Sequence, residues 1–272
     1  MANSSNPSYG TYQLTGLPRI VTTASRILPT SWLGGRLAML IRKPVVRSLR
    51  HPVDTCVFGQ QVRLHPYDNL SEKRLLFTPQ LFDPLERKLL FERRHSDFVF
   101  VDLGANAGAY SLFVADICGR GARILAVEPE SEMFARLTYN LSLNSLRNVT
   151  AVKLAVCGKS GRVRVKPNAK NRGETRIVED DGVGQRVRAV TLVELLSEHE
   201  IGSADAIKID IEDGQFDVLD RFFQDADPSL YPRLMILENL EKSGFNDAVE
   251  LALRHRYRLL IQARMNVVLE RF

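Results

Sequence analysis

The chain has 272 residues, of which 44% are hydrophobic and 25% charged, a composition typical of a soluble globular protein and unlike that of a disordered or collagen-like chain. The formal charge is +5, and residues 1–53 supply all of this surplus, because they contain seven Lys and Arg and no Asp or Glu. Three cysteines without metal-ligand spacing argue against a disulfide framework and favour a reducing, cytoplasmic setting.

Residues 1–53 form a basic N-terminal arm, of which residues 1–18 are rich in Asn, Ser, Pro and Gly and are expected to be loose. No stretch reaches the roughly 18 apolar residues that cross a bilayer. Within residues 32–49, apolar and Arg side chains recur at helical spacing. This favours either an interfacial helix, with residues 19–50 on an anionic membrane surface, or a helix that docks its apolar face on the domain. A transit peptide and an RNA-binding segment are further alternatives, although no aromatic platform supports RNA.

Residues 54–97 are predicted to extend the domain on the substrate side. The stretch TCVFGQQVRLH, from residue 55, alternates around a glycine and predicts a β-hairpin. Residues 70–94 are helical in character and are split by Pro79 and Pro84. His65 lies on the hairpin, which we expect to cover the cleft, and it is therefore a candidate catalytic base.

From residue 98 to residue 272, strand and helix signals alternate. Apolar runs predict strands at residues 98–103, 123–127, 149–156, 206–211 and 234–237. Amphipathic stretches predict helices at residues 109–118, 131–144, 191–200, 216–223 and 246–256, with Ser131 as an N-cap. Residues 162–189 are predicted to be an insertion or edge hairpin, and residues 257–270 a final hairpin. This order predicts a Rossmann-like, doubly wound α/β sheet with helices on both faces and one antiparallel strand at an edge.

The first predicted strand runs into VDLGANAGAYS, residues 101–111. Gly104 permits a tight turn with close backbone approach, and Gly108 lets the following helix start beside the strand. A dinucleotide fingerprint requires a glycine where this chain has Asp102. A carboxylate repels a pyrophosphate but attracts a sulfonium or ammonium group, so the turn points to S-adenosylmethionine. Asp102, Gly104, Asn106 and Gly108 are the predicted cofactor-binding residues of this turn.

The second predicted strand ends in VEPE, about two dozen residues later. Glu128 occupies the position of an acid that accepts hydrogen bonds from ribose hydroxyls. Pro129 ends the strand and holds the loop. Val156, at the end of the third strand, completes the predicted cofactor set.

Acids also end the fourth and fifth strands, in IKIDIED and LMILEN. Because the carboxyl ends of neighbouring parallel strands meet at one edge, Asp210 and Glu238 are candidate catalytic bases. Glu212 and Asn239 are candidate substrate-binding residues. Asp210, Glu238 and Asn239 also imitate a Mg²⁺ ligand set, but adjacent side chains on a strand point apart, so no metal is predicted.

The ordered set VDLGANAGAYS, VEPE, IKIDIE and PRLMILEN, with FDPLERKLL upstream, resembles the FkbM family of S-adenosylmethionine-dependent methyltransferases. The resemblance covers residues 55–272. It implies a class I methyltransferase fold, with a seven-stranded sheet whose last strand is antiparallel. It also implies O-methylation of a small-molecule or glycan acceptor, such as a sugar hydroxyl in a polysaccharide, glycolipid or secondary metabolite.

The chain departs from that family at three positions. Gly158 stands where an acid is usual, and Asp213 and Gln215 stand where Gly and Glu are usual. These departures leave two alternatives open: a protein or RNA acceptor, or a non-catalytic module that binds a membrane surface. Methylation of base amines is disfavoured, because IKIDIEDG lacks the Pro-Pro-aromatic sequence of such enzymes. The oligomeric state is left open.

Overall fold

The computed structural model describes residues 7–168, 171–178, 183–211, 214–239, 241 and 244–272. The helices are α1 Gly16–Ile27, α2 Trp32–Ile41, α3 Lys43–Ser48, α4 Leu70–Phe77, α5 Pro84–Arg93, α6 Ala109–Cys118, α7 Ser131–Leu143, α8 Leu192–Glu198, α9 Gln215–Asp225 and α10 Asp247–Arg254. The strands are β1 Val53–Val57, β2 Gln60–Leu64, β3 Val99–Leu103, β4 Arg123–Val127, β5 Val149–Val152, β6 Ala155–Val156, β7 Gly161–Pro167, β8 Thr175–Val178, β9 Gln185–Val190, β10 Ala206–Ile209, β11 Leu234–Glu238, β12 Tyr257–Gln262 and β13 Asn266–Arg271.

A seven-stranded sheet in the order β12-β13-β11-β10-β3-β4-β5 forms the centre of the fold. The strands from β11 to β5 run parallel to one another, whereas β13 is antiparallel to both β11 and β12. The mostly parallel α/β class is therefore confirmed. The sequence predicts the antiparallel strand at the edge of the sheet. In the structure it lies one position inside the edge, because the final hairpin inserts β13 beside β11 and leaves β12 outside.

Both faces of this sheet are buried, since alternate residues of β3 point into two separate apolar cores. Val101 and Leu103 belong to one core, together with residues of α8, α9 and α10. Phe100 belongs to the other, together with residues of α4, α5 and α6. Helices on both faces are thus confirmed, and the loops at the carboxyl ends of the strands are free to build a site.

The apolar run at residues 149–156 is not one strand. Residues Val149–Val152 form β5 of the central sheet, while Ala155–Val156 form β6 and pair with β9. The predicted insertion at residues 162–189 contains β7, β8 and most of β9, which join β6 in a four-stranded sheet of the order β6-β9-β7-β8. Strand β8 is not predicted from the sequence. Ser131 is not the N-cap of α7, because the Glu130 carboxylate accepts the hydrogen bond of the Met133 backbone N–H at 2.9 Å.

The start of the arm is held against the domain from residue 7 onward, so the prediction of a loose segment is wrong there. The Asp54 carboxylate accepts hydrogen bonds from the backbone N–H groups of Gly10 and Tyr12. Arg63 pairs with Asp54 at 2.7 Å and donates to the carbonyl of Ser8. Among the described residues, no helix is long and apolar enough to cross a membrane.

Helices α1 and α2 contact each other, α1 also contacts α4, and the fully buried side chains of both helices are small or polar. Thr22 and Ser25 are the buried residues of α1, and Gly34 and Ala38 those of α2. The predicted docking of an apolar face is found mainly in α3 and the residue after it, where Val45 and Leu49 are buried, while Val21 of α1 packs partly buried against the same core.

Candidate functional site

An open cleft lies where the carboxyl ends of β3, β4, β10 and β11 meet. Its free volume is about 1220 Å³, including the part open to solvent, which suits a nucleoside cofactor together with an acceptor. The sheet contributes Asp102 and Gly104, Glu128 and Pro129, Lys208 and Asp210, and Glu238. Helix α4, the β7–β8 hairpin and the β12–β13 turn form the remaining walls.

The turn after β3 is built around Gly104, whose φ of +79° lies in the left-handed region. A Cβ at this position would lie 2.0 Å from the carbonyl oxygen of Asp210, so only glycine fits between the two loops. The Val127 carbonyl accepts hydrogen bonds from the N–H groups of Gly104 and Ala105, at 3.0 and 2.9 Å. The backbone of the turn is thereby fixed to the end of β4.

Asn106 is held in the left-handed conformation, with a φ of +52°. Its side-chain oxygen accepts hydrogen bonds from the Ala107 N–H at 2.8 Å and the Asn69 amide at 2.7 Å. Asn106 lines the cleft, and Gly173 of the β7–β8 hairpin approaches it closely. Gly108 precedes α6 and packs against Leu137; it supports the turn without lining the cleft.

Glu128 is buried at the end of β4, and both of its oxygens accept backbone hydrogen bonds. Oε2 accepts from the Asn106 N–H and Oε1 from the Glu130 N–H, each at 2.9 Å. Burial raises the pKa of Glu128 to about 7, although these two hydrogen bonds favour the ionised form. The carboxylate is therefore fixed in direction and retains lone pairs for ligand hydroxyls.

Asp102 is 1% exposed and lines the cleft beneath this turn. The Ser111 hydroxyl donates to its Oδ2 at 2.7 Å, whereas Oδ1 has no hydrogen-bond partner among the described residues. Burial raises the pKa of Asp102, and the nearby positive charge of Lys208 partly opposes this rise. A buried carboxylate oxygen without a donor is a place where a ligand donor or cation is expected.

Lys208 is buried on β10, and its Nζ lies 2.6 Å from Oδ2 of Asp210. Burial alone would lower the pKa of Lys208, but the negative charges of Asp210 and Asp102 outweigh it and the pKa is raised. The ammonium also lies 5.1 Å from the ring centre of Tyr110. Lys208 and Asp210 share one face of the strand, as the sequence predicts.

Beside this pair, Asp83 holds two side chains of the cleft wall. The Tyr110 hydroxyl donates to its Oδ2 at 3.1 Å, and the Arg74 guanidinium donates to its Oδ1 at 3.0 Å. Burial raises the pKa of Tyr110 well above its usual value, as does the negative charge of Asp83. Tyr110 therefore stays a neutral hydrogen-bonding group at physiological pH.

Glu238 ends β11 at the rim of the cleft, and its backbone is held from two sides. Gln215 accepts from the Glu238 N–H at 3.2 Å and donates to the Glu238 carbonyl at 3.3 Å. Asn246 donates to the same carbonyl at 2.8 Å. Gln215, which stands where the family usually has Glu, therefore clamps the Glu238 backbone through two hydrogen bonds. A glutamate carboxylate could not make both, because it cannot donate.

Three of the other predicted site residues lie elsewhere. His65 hydrogen-bonds Glu72 through its backbone N–H at 2.6 Å, and its ring lies 3.3 Å from the same carboxylate, away from the cleft. Val156 is buried in the apolar core, because β6 joins the four-stranded sheet. Asn239 turns into its own loop, where its oxygen accepts from the Asn246 N–H at 2.9 Å. The predicted substrate residue Glu212 lies outside the described residues.

Several cleft residues are not predicted from the sequence. Arg74, Asp83 and Tyr110 come from helices or their borders, where polar residues resemble ordinary surface or core positions. The β7–β8 hairpin also reaches the cleft, because Asn171 accepts from the Leu70 N–H at 2.9 Å and Arg172 donates its N–H to the Asp68 carbonyl at 2.8 Å. Gly158, another departure, lies against α9, where a Cβ would be 2.9 Å from the Asp217 carbonyl oxygen.

The charges of the cleft select among cofactors. Arg74 and Lys208 are its cationic lining residues among those described, and each is paired with an acid. The acidic lining residues outnumber them and are Asp83, Asp102, Glu128, Glu174, Asp210 and Glu238. Such a lining fits a cofactor with a sulfonium and an ammonium group and disfavours a pyrophosphate. No cluster of three or more His, Cys, Asp or Glu that could hold a metal occurs among the described residues.

The chain is similar to one curated protein and to several solved structures. Hexuronic acid methyltransferase AglP from Haloferax volcanii is 28% identical over 132 residues, which are 48% of this chain and 53% of that protein, so the match spans about half of the relative. Precorrin-6y C5,15-methyltransferase from Geobacter metallireducens is 14% identical, with 72% of this chain and 89% of that chain covered and a TM-score of 0.46. TYW2 from M. jannaschii, solved in complex with AdoMet, is also 14% identical, with 83% and 89% covered and a TM-score of 0.44.

A family profile decides the assignment. The profile described as "Methyltransferase FkbM domain" matches residues 102–264, from the acid beneath the glycine turn to the turn of the final hairpin. The matched stretch contains every acid of the cleft except Asp83. The chain belongs to the FkbM methyltransferase family.

Proposed function

We propose that this methyltransferase uses S-adenosylmethionine to methylate a hydroxyl oxygen of a sugar, in a free glycan, a glycolipid or a secondary metabolite. The observation that carries the proposal is the excess of acids over cations in the cleft, including a buried Asp102 oxygen without a donor. The cofactor supplies a methyl group on a positively charged sulfur, together with an ammonium and two ribose hydroxyls. Those groups are the complement of this lining.

On this proposal, the cofactor lies along the carboxyl ends of β3 and β4. Glu128, fixed by two backbone hydrogen bonds, accepts from the ribose hydroxyls. The Gly104 turn allows close approach of the ligand, and Asp102 attracts the cationic end. Asn106 and Pro129 line the same part of the cleft.

The acceptor is proposed to enter beside β10 and β11. Methyl transfer forms an oxygen–carbon bond, breaks the sulfur–carbon bond and releases the proton of the hydroxyl. Asp210 is the first candidate for accepting that proton, since Lys208 holds one of its oxygens at 2.6 Å and so orients the carboxylate. Glu238 is the second, because its backbone is clamped at the rim. Most of the protein's contribution is the positioning of oxygen and methyl carbon.

The sugar assignment rests on the family and on the name of the Haloferax relative, a hexuronic acid methyltransferase. The wall opposite the sheet comes from residues 54–97, which we propose as the acceptor-side extension of a core at residues 98–272. Arg74 presents hydrogen-bond donors to the cleft, and Asp83, Asp210 and the hydroxyl oxygen of Tyr110 present acceptors. Paired donors and acceptors are the groups that recognise sugar hydroxyls.

Calorimetric titration with S-adenosylmethionine tests the cofactor. Micromolar binding is expected for the wild type and loss of binding for Glu128→Ala and Gly104→Val. Glu92→Ala, which removes an exposed acid of α5, is the matched control and should bind as the wild type does. Undiminished binding in both cleft variants would refute the cofactor assignment.

Incubation with methyl-labelled cofactor and cell extract tests the acceptor. The extract is fractionated into glycolipid, polysaccharide, protein and RNA, and label is expected in a glycan-containing fraction. Asp210→Asn is expected to lower turnover more than Glu238→Gln, with cofactor affinity unchanged in both. Label confined to protein or RNA would overturn the sugar assignment while leaving the cofactor assignment intact.

A further inference from the structure

The helices α1 and α2 expose most of their large apolar side chains, whereas their fully buried residues are small or polar; Val21 of α1 is partly buried. In α1, Ile20 and Ile27 are 65% and 78% exposed, whereas Thr22 and Ser25 are buried. Arg26 of the same helix is turned inward, where its Nε donates to the Leu76 carbonyl at 2.7 Å. A helix that only covers the domain would place its apolar side inward.

The same inversion occurs in α2. Trp32 and Leu33 are 69% and 71% exposed, and Leu37 and Leu40 are also exposed. The buried side consists of Gly34 and Ala38, and a Cβ at Gly34 would lie 2.2 Å from the Pro29 carbonyl oxygen. The close packing of α2 thus requires the small residues to face inward and leaves the large apolar residues in water. Several large apolar side chains exposed on two helices that contact each other are typical of an interaction site.

The charges around these helices select the partner. Residues 1–53 contain no acid, and five of their cations are exposed: Arg19, Arg36, Lys43, Arg47 and Arg50. In the described part of the chain, none of these five forms a salt bridge with a carboxylate. The guanidinium carbon of Arg36 lies 4.7 Å from the ring centre of the exposed Trp32, so a cation and an indole ring are adjacent on the surface. Apolar side chains, a tryptophan and unpaired cations together match an anionic bilayer surface.

We infer that the α1–α2 surface, comprising the exposed apolar residues of both helices and the arm's exposed cations, docks the protein on an anionic lipid bilayer. The surface is joined to the cleft through α4. Gln80, in the turn after α4, donates to the Ser25 and Leu28 carbonyls, while Leu70 and Arg74 of α4 line the cleft. Only α4 and the turn after it separate the lipid-facing helices from the acceptor side of the cleft. Docking would therefore bring the acceptor side of the cleft close to the bilayer, where an acceptor attached to a lipid could enter.

Co-sedimentation of the full chain with vesicles tests this inference. Vesicles of equal parts phosphatidylcholine and phosphatidylglycerol should pellet the protein, and phosphatidylcholine vesicles should not. Ile20→Ser/Leu37→Ser should lower the partition coefficient about tenfold or more, through lost apolar burial. Arg19→Gln/Arg36→Gln should lower it roughly 30-fold at low salt.

Matched controls lie elsewhere on the surface. Leu85→Ser/Phe91→Ser removes two exposed apolar side chains of α5, and Arg120→Gln/Arg147→Gln removes two exposed cations outside the arm. Both should pellet as the wild type does. Equal pelleting of the wild type with the two kinds of vesicle, or of the arm variants and controls, would overturn the inference.

Trp32 supplies a readout confined to the arm, because it is the only tryptophan of the chain. Its emission should shift to shorter wavelength with anionic vesicles and be quenched by brominated lipid chains. Pelleting without either change would place the contact on another surface and refute the inference. A dimer that Ile20→Ser/Leu37→Ser converts to a monomer, with no vesicle binding, would assign the surface to a second copy instead.

Discussion

The backbones of Gly104 and Asp210, which follow the neighbouring strands β3 and β10, lie so close together that a Cβ on Gly104 would be 2.0 Å from the Asp210 carbonyl oxygen. The Asp210 N–H also donates to the Leu103 carbonyl at 3.0 Å. The turn proposed to receive the cofactor and the residue proposed as base are therefore one mechanical unit. A side chain added at position 104 would therefore displace Asp210, whereas a change confined to the Asp210 side chain leaves this backbone contact in place.

Gly104→Ala is expected to lose cofactor binding and to destabilise the fold by several kcal/mol, because it adds a backbone clash to an unfavourable positive φ. Gly119→Ala is the matched control, since Gly119 has a φ of +71° but nothing within 4 Å of an added Cβ. The ψ of Gly119, −163°, lies in a region that almost only glycine adopts, so this substitution should cost about 1–3 kcal/mol, less than Gly104→Ala, which adds the clash. Denaturant unfolding and calorimetry give both quantities. Equal destabilisation by the two substitutions would show that the contact with Asp210 contributes nothing.

Gln215→Glu is expected to lower turnover while leaving cofactor affinity unchanged. The new carboxylate can accept from the Glu238 N–H but would face the Glu238 carbonyl without a proton to donate. Loss of that hydrogen bond costs about 1–2 kcal/mol and displaces Glu238. Gln224→Glu, on the exposed side of the same helix, controls for the added charge. Full turnover in Gln215→Glu would remove the clamp from the proposed mechanism.

The elements that the sequence predicts well are those bounded by local signals. Helix α6 and strand β4 have the predicted limits, because a buried apolar run lies between glycine turns or before Pro129. The acids at the strand ends also converge as predicted, since the carboxyl ends of parallel strands share one edge. For these elements, the hydrophobic periodicity and one neighbouring Gly or Pro are enough to predict where the element begins and ends.

The failures depend on specific contacts that the hydrophobic pattern does not encode, and some of these join residues distant in sequence. The run at residues 149–156 divides because β6 pairs with β9, more than 30 residues away. His65 leaves the cleft because Glu72 binds it. The β7–β8 hairpin reaches the cleft through contacts with Asp68 and Leu70, for which its own composition carries no signal. The inward orientation of the small residues in α2 likewise depends on the Pro29 backbone beside Gly34.

Cofactor affinity is expected to fall as the pH drops below 7. Burial raises the pKa of Glu128 to about 7, and the ionised form is the one that accepts ribose hydrogen bonds at both oxygens. If only this form binds, affinity falls about tenfold per pH unit below that pKa. Calorimetric titration between pH 5.5 and about 8.5 covers the titration of this group. Glu128→Gln should bind weakly with no such pH dependence, and an unchanged slope in this variant would assign the effect to another group.

The raised pKa of Glu128 also has a consequence for stability. The folded state retains this proton to higher pH than the unfolded chain, whose value is 4.5, so the free energy of unfolding falls as the pH rises from there to about 7. Saturating cofactor favours the ionised form and should reduce this fall. Denaturant unfolding with and without cofactor across that range measures the difference. A fall of the same size with and without cofactor would mean that the ligand does not contact Glu128.

Lys208→Met is expected to destabilise the protein by about 3 kcal/mol at pH 8, because it leaves the buried Asp102 carboxylate without its neighbouring positive charge. Without Lys208, the pKa of Asp102 rises further above its unfolded value of 3.8. The loss of stability is therefore small near pH 4 and grows as the pH rises toward the new folded pKa. Adding Asp102→Asn to Lys208→Met should abolish this pH dependence. The control Lys88→Met removes a lysine whose side chain is 72% exposed, and it should change stability little at any pH. A pH-independent loss in Lys208→Met would mean that the lysine stabilises the site by packing alone.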